Sequence, residues 1–365
     1  MLRLAFAALL ALHGAIHLLG FVKGYGLSEV AALKRPIGRV AGALWLLAAA
    51  GFLAASALLL ASSGRWWLAG LPALLLSQAL IVGAWSDARF GTVANAIVAI
   101  PLVLALLQAS PASLGAAYRR EAARALAGVA RGAPLVTEQD LEGQPPLVQA
   151  WLRRVGVVGR PHVQGFRARF HGRLRNGLDA PWMDFTSEQV NVVDPSARLF
   201  RMEASLRGLP FEAFHAFRGR EARMRVRAAF AVDVVDARGE QLGQSETVTV
   251  FNDLCVLAPA ALLDAPVRWT PLDARSVRGA FTREGRTVSA VLTFDEAGDL
   301  VGFRSEDRLL SADGKTFERL PWSTPLRGHR AFGGVRLPAV GEAVWETPRG
   351  DLAYGEFHLD GITSY

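Results

Sequence analysis

Two histidines, His13 and His17, are the residues of this chain whose type and spacing most clearly suggest chemistry. They lie four positions apart in "LHGAIHLLGF" (12–21), so a helix places both imidazoles on one face, with their Cβ atoms about 5–6 Å apart. The surrounding segment is apolar, and ionisable residues within a membrane span are costly and usually face other helices. The pair therefore predicts a polar contact inside a helical bundle.

The partners of the pair follow from four apolar segments, which we place at 4–22, 40–61, 66–85 and 93–108. About 20 apolar residues are enough to cross a bilayer as a helix. If successive segments cross in opposite directions, polar residues of the third and fourth lie at the depth of the histidines. The predicted intramembrane polar cluster consists of His13, His17, Gln78, Asp87 and Asn95.

The cluster allows three interpretations. Its hydrogen bonds can fix the packing of the helices, or it can handle protons or hold a small ligand. The third interpretation is a metal or haem site. Both histidines lie on one helix face and the cluster has no third nitrogen and no sulfur, so a metal or haem is the least favoured. We predict no metal and no cofactor.

Composition supports a membrane protein. The chain has 365 residues, of which 51% are hydrophobic, and its mean hydropathy is +0.24. Its net charge of +7 suits anionic lipid headgroups, and the sequence has no zinc finger or dense basic block that would indicate nucleic acid. Cys255 is the single cysteine, which excludes an intramolecular disulfide.

The sequence pattern changes after residue 110. An Ala/Arg-rich stretch and a short helix at 111–150 predict an interfacial helix and a linker. From 151 to 365, segments such as "ARLFRMEASL" and "RTVSAVLTF" alternate apolar and polar residues between short turns. Short connections indicate antiparallel pairing. We therefore predict an α+β chain, with a four-helix transmembrane bundle (1–110) followed by a curved antiparallel half-barrel with a covering helix.

The covering helix is expected within "NDLCVLAPAALLDAP" (252–266), with Asn252 or Asp253 as its N-cap. Large apolar side chains and two strand arginines would then line the hollow side of the sheet and its rim. The predicted ligand-binding residues are Trp182, Phe214, Leu254, Leu262, Trp269, Phe294, Trp322, Arg169 and Arg225. The alternatives are that the apolar residues form an ordinary core and that the arginines form a solvated face.

No nucleophile elbow, P-loop, H-E-x-x-H motif or dinucleotide-binding motif occurs in the sequence, and we assign no catalytic residue. The five histidines after residue 160 are scattered along predicted strands. The chain therefore has no recognisable catalytic machinery.

Several motifs carry a family resemblance: "PPLVQAWLRRVG" (145–156), "WTPLDARSVR" (269–278), "VSAVLTFDEAG" (288–298) and the pair Pro321–Trp322. With them, the stretch from about 145 to 365 resembles an uncharacterised bacterial domain family. Its sheet is similar to the lipoprotein-carrier fold of LolA and LolB, a half-barrel that holds acyl chains. The stretch H-x-x-x-H-x-x-G-F, beginning at His13, resembles small DoxX-like membrane bundles.

These observations predict a multi-pass protein of the bacterial inner membrane whose β domain binds a hydrophobic or lipid-like ligand. Its partners would be membrane lipids and that ligand, and not nucleic acid. One alternative is a redox, proton-handling or small-ligand site at the histidines, with the β domain as a docking module. Another is an assembly protein whose sheet binds a protein partner. Five basic residues flank the spans on either side, so the resemblance alone favours an extracytoplasmic β domain.

Overall fold

The computed structural model describes residues 2–130, 132–311 and 314–365, and the chain divides into two compact units, Met1–Ser110 and Pro111–Tyr365. The first unit is helical. Its helices are α1 (Leu2–Gly24), α2 (Arg39–Leu60), α3 (Trp67–Gly83), α4 (Trp85–Ala88) and α5 (Gly91–Ala109).

Small residues allow α1 and α2 to pack closely. A Cβ atom built on Gly20 would lie 2.3 Å from the ring of Trp45, and one built on Gly24 would lie 2.8 Å from the Cα of Gly42. Close backbone approach through small residues is a common way for apolar helices to associate. Side chains of α1, α2, α3 and α5 share one buried cluster: Leu10, Phe52, Ala55, Ala73, Val98 and Leu102.

Within the described residues, three helical segments are long and apolar enough to cross a membrane. They are Arg3–Gly24, Arg39–Leu60 and Gly91–Ala127, and each contains an 18-residue stretch whose mean hydropathy is 2.0, 2.2 and 2.0 respectively. The apolar helix α3 has only 17 residues because the helical path is interrupted at Ala84, before the short α4. The expected third span, 66–85, is therefore shorter in the structure than in the sequence pattern.

The second unit is α+β. Its helices are α6 (Leu114–Ala127), α7 (Pro146–Val155) and α8 (Glu240–Leu257), with 3₁₀ turns at Gln139–Leu141 and Pro259–Leu263. Its strands are β1 (Gly165–Leu174), β2 (Met183–Val192), β3 (Ala197–Leu206), β4 (Leu209–Arg218), β5 (Glu221–Ala228), β6 (Val232–Arg238), β7 (Val267–Asp273), β8 (Ser276–Arg283), β9 (Arg286–Phe294), β10 (Leu300–Ser305), β11 (Leu309–Leu310), β12 (Glu318–Arg319), β13 (Trp322–Arg327), β14 (Arg330–Phe332), β15 (Val335–Leu337), β16 (Val340–Thr347) and β17 (Gly350–Ser364).

In the part of the chain that the structure describes, thirteen strands form one open sheet in the order β6-β5-β4-β3-β2-β1-β17-β16-β13-β10-β9-β8-β7, and every pair in it is antiparallel. The chain runs outward from the central β1 to the edge strand β6. Helix α8 then leads to the other edge, β7, and the later strands return until β17 pairs with β1. The predicted antiparallel sheet is confirmed.

The contacts of α8 require this sheet to curve. The helix touches β5 and β6 near one edge and β9 and β10 near the other. Nine strand intervals separate β6 from β10, which in a flat sheet would be about 43 Å. Helix α8 has 18 residues and is about 27 Å long. It can reach both groups of strands only if the sheet bends around it.

The expected start of α8 was wrong. The helix begins at Glu240, so Asn252 and Asp253 lie in its last turns rather than at its N-cap. The run from Thr247 to Val250 is β-branched and has low helix propensity. Burial of this segment between both halves of the sheet outweighs that preference.

Helix α6 covers the other face of the sheet. Leu114, Tyr118 and Ala122 pack with Leu199 and Phe214 of β3 and β4. The carboxylate of Glu212 accepts the N–H groups of Leu114 and Gly115, at 3.0 and 3.2 Å, which places a negative charge at the positive end of the helix. Both faces of this half of the sheet are therefore covered.

Candidate functional site

A cavity of about 270 Å³ lies between α8 and the sheet in the second unit. Strands β1 to β4 form one side of it, and β13, β16 and β17 form the other. Its larger apolar lining residues are Phe170, Phe200, Met202, Val256, Leu257, Trp322, Leu326, Phe357 and Leu359. Most of this lining comes from the sheet because alternate residues of each strand point to the same face.

Helix α8 contributes mainly polar residues. Glu246, Thr249, Asn252 and Asp253 line the cavity, while Phe251 and Leu254 lie in the hydrophobic core. Spacings of three, four and seven residues place side chains on one face of a helix. The helix therefore presents an apolar face to the core and a polar face to the cavity.

A buried ionic network, which we call the polar floor, joins α8 to β2 and β3. It consists of Gln189, Asn191, Arg198, Glu246 and Asp253, all buried. Arg198 donates from Nε to Asp253 Oδ2 at 2.6 Å and from Nη1 to Glu246 Oε2 at 2.9 Å. Gln189 and Asn191 donate to the same Oδ2 at 2.7 and 3.1 Å. The hydrogen bonds of the polar floor thus connect Glu246 and Asp253 of α8 to β2 and β3 and fix the helix against the sheet.

The two carboxyl groups of the polar floor differ in their pKa. For Glu246, burial alone would raise the pKa, but the charge of Arg198 and the nearby His215 lower it to about 2. For Asp253, burial outweighs the effect of Arg198 and raises the pKa. Glu246 is therefore the firmly ionised partner of Arg198.

A second polar group lines the cavity beside β13 and β17. The guanidinium of Arg308 stacks on the ring of Trp322, 4.2 Å from its centroid. Arg308 Nη1 and Trp322 Nε1 both donate to the hydroxyl of Tyr354, at 2.9 and 3.2 Å. Arg308 Nε is buried, and no acceptor lies within hydrogen-bond distance in the described residues.

Of the residues predicted to bind a ligand, the structure places Trp322 in this cavity. Leu254, Leu262 and Phe294 are buried in the core of the second unit, and Trp269 packs against that core beside Phe251. These four residues do not line the cavity.

Phe214, Arg225 and Arg169 lie on the opposite face of the sheet, and Trp182 lies just before β2. Phe214 packs under α6, and Arg225 lies over its ring at 5.9 Å. Arg169 is exposed and adjoins the cavity-lining Phe170 in β1, so it points away from the cavity. Trp182 is covered by two arginine side chains of the β1 region. The structure thus does not bring this group together with Trp322.

Sequence reasoning missed the polar side of the cavity, including Arg198, Glu246, Asp253, Arg308 and Tyr354. One signal was present: Glu246, Thr249 and Asp253 recur at helical spacing, and the apolar Phe251 and Leu254 lie between them and after them. Arg308 gave no such signal, because it lies in a connection before the two-residue strand β11.

In the helical unit, four of the five predicted cluster residues form one hydrogen-bonded network. His13 Nε2 lies 2.8 Å from Asn95 Oδ1, and Asn95 Nδ2 donates to Gln78 Oε1 at 3.0 Å. His17 Nδ1 lies 2.8 Å from the carbonyl oxygen of His13, and its Nε2 lies 2.8 Å from the hydroxyl of Ser77. Ser77, which the sequence analysis did not include, thus links His17 to α3.

The fixed acceptors determine where the protons lie. The carbonyl of His13 can only accept, so neutral His17 carries its proton on Nδ1, and its Nε2 is an acceptor. The one hydroxyl proton of Ser77 can be donated either to this Nε2 or to Asn95 Oδ1, which lies 3.1 Å from the hydroxyl oxygen. Asn95 Oδ1 can only accept, so His13 Nε2 carries a proton and donates a hydrogen bond to it. The Nδ1 atom of His13 is left as an acceptor, and no hydrogen bond to it occurs among the described residues.

Asp87 does not belong to this network. Its Oδ2 accepts the backbone N–H groups of Lys34 and Arg35, at 2.6 and 2.8 Å, and so fixes the connection between α1 and α2. Asp87, His13 and His17 nevertheless border one cavity of about 340 Å³ whose other lining residues are apolar. Within the described residues, no group of three or more His, Cys, Asp or Glu side chains could hold a metal ion.

A comparison of sequences gives the family. Residues 134–357 match the model of DUF6544, a family of unknown function, and the match includes the motifs at 145–156, 269–278 and 288–298. It covers more than half of the chain. The chain belongs to this family. No curated protein matches the chain.

The DUF6544 chain is also similar to solved structures, each at low identity. A domain from Vibrio parahaemolyticus, described as outer membrane lipoprotein-sorting, is 8% identical with a TM-score of 0.32, over 55% of this chain and 85% of that one. A DUF1329 family protein from Desulfovibrio piger is 11% identical with a TM-score of 0.34, over 60% and 91%. A LolA superfamily protein from Nitrosomonas europaea is 10% identical with a TM-score of 0.33, over 60% and 93%.

Proposed function

We propose that the second unit binds a hydrophobic or lipid-like ligand in the cavity between α8 and the sheet. The observation that carries this proposal is the composition of the lining, in which aromatic and aliphatic side chains form the walls and a few polar groups lie on one side. Ligand sites in proteins typically combine an apolar pocket with a small number of placed polar groups. The predicted site of Trp182, Phe214 and the core residues is accordingly replaced in this proposal by the cavity lining around Trp322.

The size of the cavity limits the ligand. Its volume of about 270 Å³ is slightly below the range of about 300–1,000 Å³ that is usual for small-molecule sites. A single apolar chain suits this space better than a lipid with two chains. We therefore propose one chain, held against the aromatic side of the cavity.

We further propose that all four apolar helices of the first unit cross the bacterial inner membrane as a DoxX-like bundle and tether the second unit on the extracytoplasmic side. The long apolar segments of α1, α2 and α5 support membrane insertion. Trp66, Trp67 and Trp85 flank α3, where aromatic residues favour the membrane interface. We retain 1–110 as the membrane part, 111–150 as the connecting segment and 151–365 as the ligand-binding domain.

Photo-crosslinking tests the ligand site. Full-length protein in nanodiscs is incubated with a diazirine-labelled fatty acid, and cross-linked peptides are identified by mass spectrometry. We expect labels in α8 and β13, and we expect Val256→Trp to abolish them by filling the cavity. Val232→Trp is the matched control, because Val232 is exposed on the edge strand β6.

The proposal fails if folded wild-type protein carries no label on these elements. It also fails if Val256→Trp and Val232→Trp are labelled there equally.

A second candidate function is supported by the cavity in the helical unit. Its histidines border an apolar space of about 340 Å³, and His13 Nδ1 is an acceptor for which the described residues provide no donor. A small amphiphile with a hydroxyl group would match these features. This alternative makes the helical unit a small-ligand site and the second unit a docking module.

A further inference from the structure

Arg308 is half-buried, and within the described residues it lacks the anionic partner that the buried Arg198 of the same cavity has. Arg198 forms ion pairs with Glu246 and Asp253 at 2.9 and 2.6 Å. No carboxylate among the described residues forms an ion pair with Arg308, although its charge contributes to the low pKa of Glu246. Its Nε–H is buried without an acceptor. A buried guanidinium donor that lacks an acceptor is costly unless a ligand supplies one.

The hydroxyl group of Tyr354 also has a proton for which the described residues provide no acceptor. Its hydroxyl oxygen accepts hydrogen bonds from Arg308 Nη1 and Trp322 Nε1, both of which can only donate. These two bonds occupy the oxygen's lone pairs, so the hydroxyl proton must be donated elsewhere. No acceptor for it occurs among the described residues, and Tyr354 lines the cavity.

Aromatic rings hold this pair of donors in place. The guanidinium of Arg308 lies 4.2 Å from the ring centroid of Trp322 and 5.3 Å from that of Trp345. The rings of Trp345 and Tyr354 are stacked, with an interplanar angle of 22°. Stacking restricts the side chain of Arg308, so little further ordering is needed when a ligand binds.

We propose that Arg308 and Tyr354 bind the anionic oxygen head of a single-chain amphiphile, a carboxylate or a monoester phosphate, in this cavity. The proposal rests on the proposed function, because the tail of this ligand would occupy the apolar lining formed by Phe170, Phe200 and Met202. Arg308 supplies the charge and Tyr354 a second donor. Arginine suits both heads because its planar fork matches carboxylate and phosphate oxygens.

Competition among ligands of equal chain length tests the proposal. Full-length protein in nanodiscs is labelled with the diazirine fatty acid, and an unlabelled fatty acid, a monoalkyl phosphate or a fatty alcohol is added as competitor. We expect the anionic competitor with the correct head to be about 10- to 100-fold stronger than the alcohol, the range given by one or two charge-assisted hydrogen bonds. The ratio of acid to phosphate identifies the head.

Variants assign the effect to the two residues. We expect Arg308→Gln to reduce the preference for the anion to less than about 3-fold, Arg308→Lys to restore part of it, and Tyr354→Phe to weaken it. Arg319→Gln is the control, because Arg319 is exposed and outside the cavity lining. Thermal unfolding of each variant verifies that it is folded.

Two failures can be told apart. If the alcohol competes as strongly as both anions, or if folded Arg308→Gln and Tyr354→Phe keep the wild-type preference, Arg308 and Tyr354 are not an anion site, while the proposed function stands. If no chain of any kind binds at the cavity, the proposed function fails and this inference fails with it.

Discussion

Arg198 lies between two buried carboxyl groups, and its charge lowers the pKa of both against the effect of burial. Glu246 and Asp253 are each within 3 Å of a guanidinium nitrogen. Arg198 helps to lower the pKa of Glu246 to about 2, while burial keeps the pKa of Asp253 above its usual value. The attraction within a buried ion pair does little more than offset the free energy of desolvating its charges. The network therefore mainly specifies the position of α8 on the sheet.

We predict that Arg198→Leu destabilises the protein by about 3–5 kcal/mol at neutral pH, because two carboxylates lose their countercharge. Without Arg198, burial raises both pKa values, so the folded variant binds more protons than folded wild type. The destabilisation should therefore be largest at neutral pH and shrink as the pH falls from 7 towards 4. Urea unfolding at several pH values measures it.

Arg275→Leu serves as the control, since its pair with Glu296 is exposed, and it should change little at any pH. A destabilisation by Arg198→Leu that stays constant between pH 7 and pH 4 would contradict the assigned charges.

At the scale of elements, sequence patterns located strands better than they located the site. Period-two alternation identified segments such as β3 and β9, and their antiparallel pairing is confirmed. Alternation does not tell which set of residues faces a cavity when helices cover both faces, as α6 and α8 do here. For that reason the predicted ligand-binding set combined residues from both faces. Phe214 and Arg225 lie on the face under α6, whereas Trp322 lines the cavity on the other face.

Helix α8 and the helical unit show the same limit for helices. The β-branched residues Thr247–Val250 do not indicate a helix by their propensity, and burial in the folded protein stabilises the helix there. In contrast, i, i+4 spacing and span direction were enough to group His13, His17, Gln78 and Asn95. The omission of Ser77 has a simple cause, since serine is common in apolar helices and carries no charge to mark it.

We predict that Asn95 is the residue on which the packing of α1, α3 and α5 depends most. Asn95→Leu removes the partner of His13, Ser77 and Gln78 together. Interhelical hydrogen bonds in membranes contribute about 0.6 kcal/mol on average and at most about 1.7 kcal/mol each, so the loss of three should be about 2–5 kcal/mol. Unfolding of the detergent-solubilised protein, followed by tryptophan fluorescence, measures the change.

Thr92→Val is the graded control, because Thr92 accepts one bond from Gln78 at the end of the network. Thr92→Val should lower the free energy of unfolding by less than Asn95→Leu does. If Asn95→Leu is as stable as wild type, the network does not hold the helices, and the small-ligand role of the histidines becomes the better explanation.

At the scale of the whole molecule, the chain joins two units of opposite character. The first consists of apolar helices that expose large side chains such as Leu12, Leu47 and Ile100. The second buries a continuous core and pairs many of its arginines with carboxylates, as in Arg304 with Glu346 and Arg336 with Asp299. Exposed leucines on a helix are expected where lipid replaces water. Net charge alone would allow a different attachment, since a basic protein also binds anionic membrane surfaces.

Extraction distinguishes these two attachments. We predict that the full chain stays in the membrane pellet in alkaline carbonate and in about 1 M salt, where the Debye length is only about 3 Å. A chain that begins at Pro111 should move to the supernatant under both conditions, since it lacks α1, α2 and α5. Immunoblots of the two fractions measure the distribution. Release of the full chain by salt would mean that charge holds it to the membrane surface, and the proposed tether of the ligand-binding domain would then be excluded.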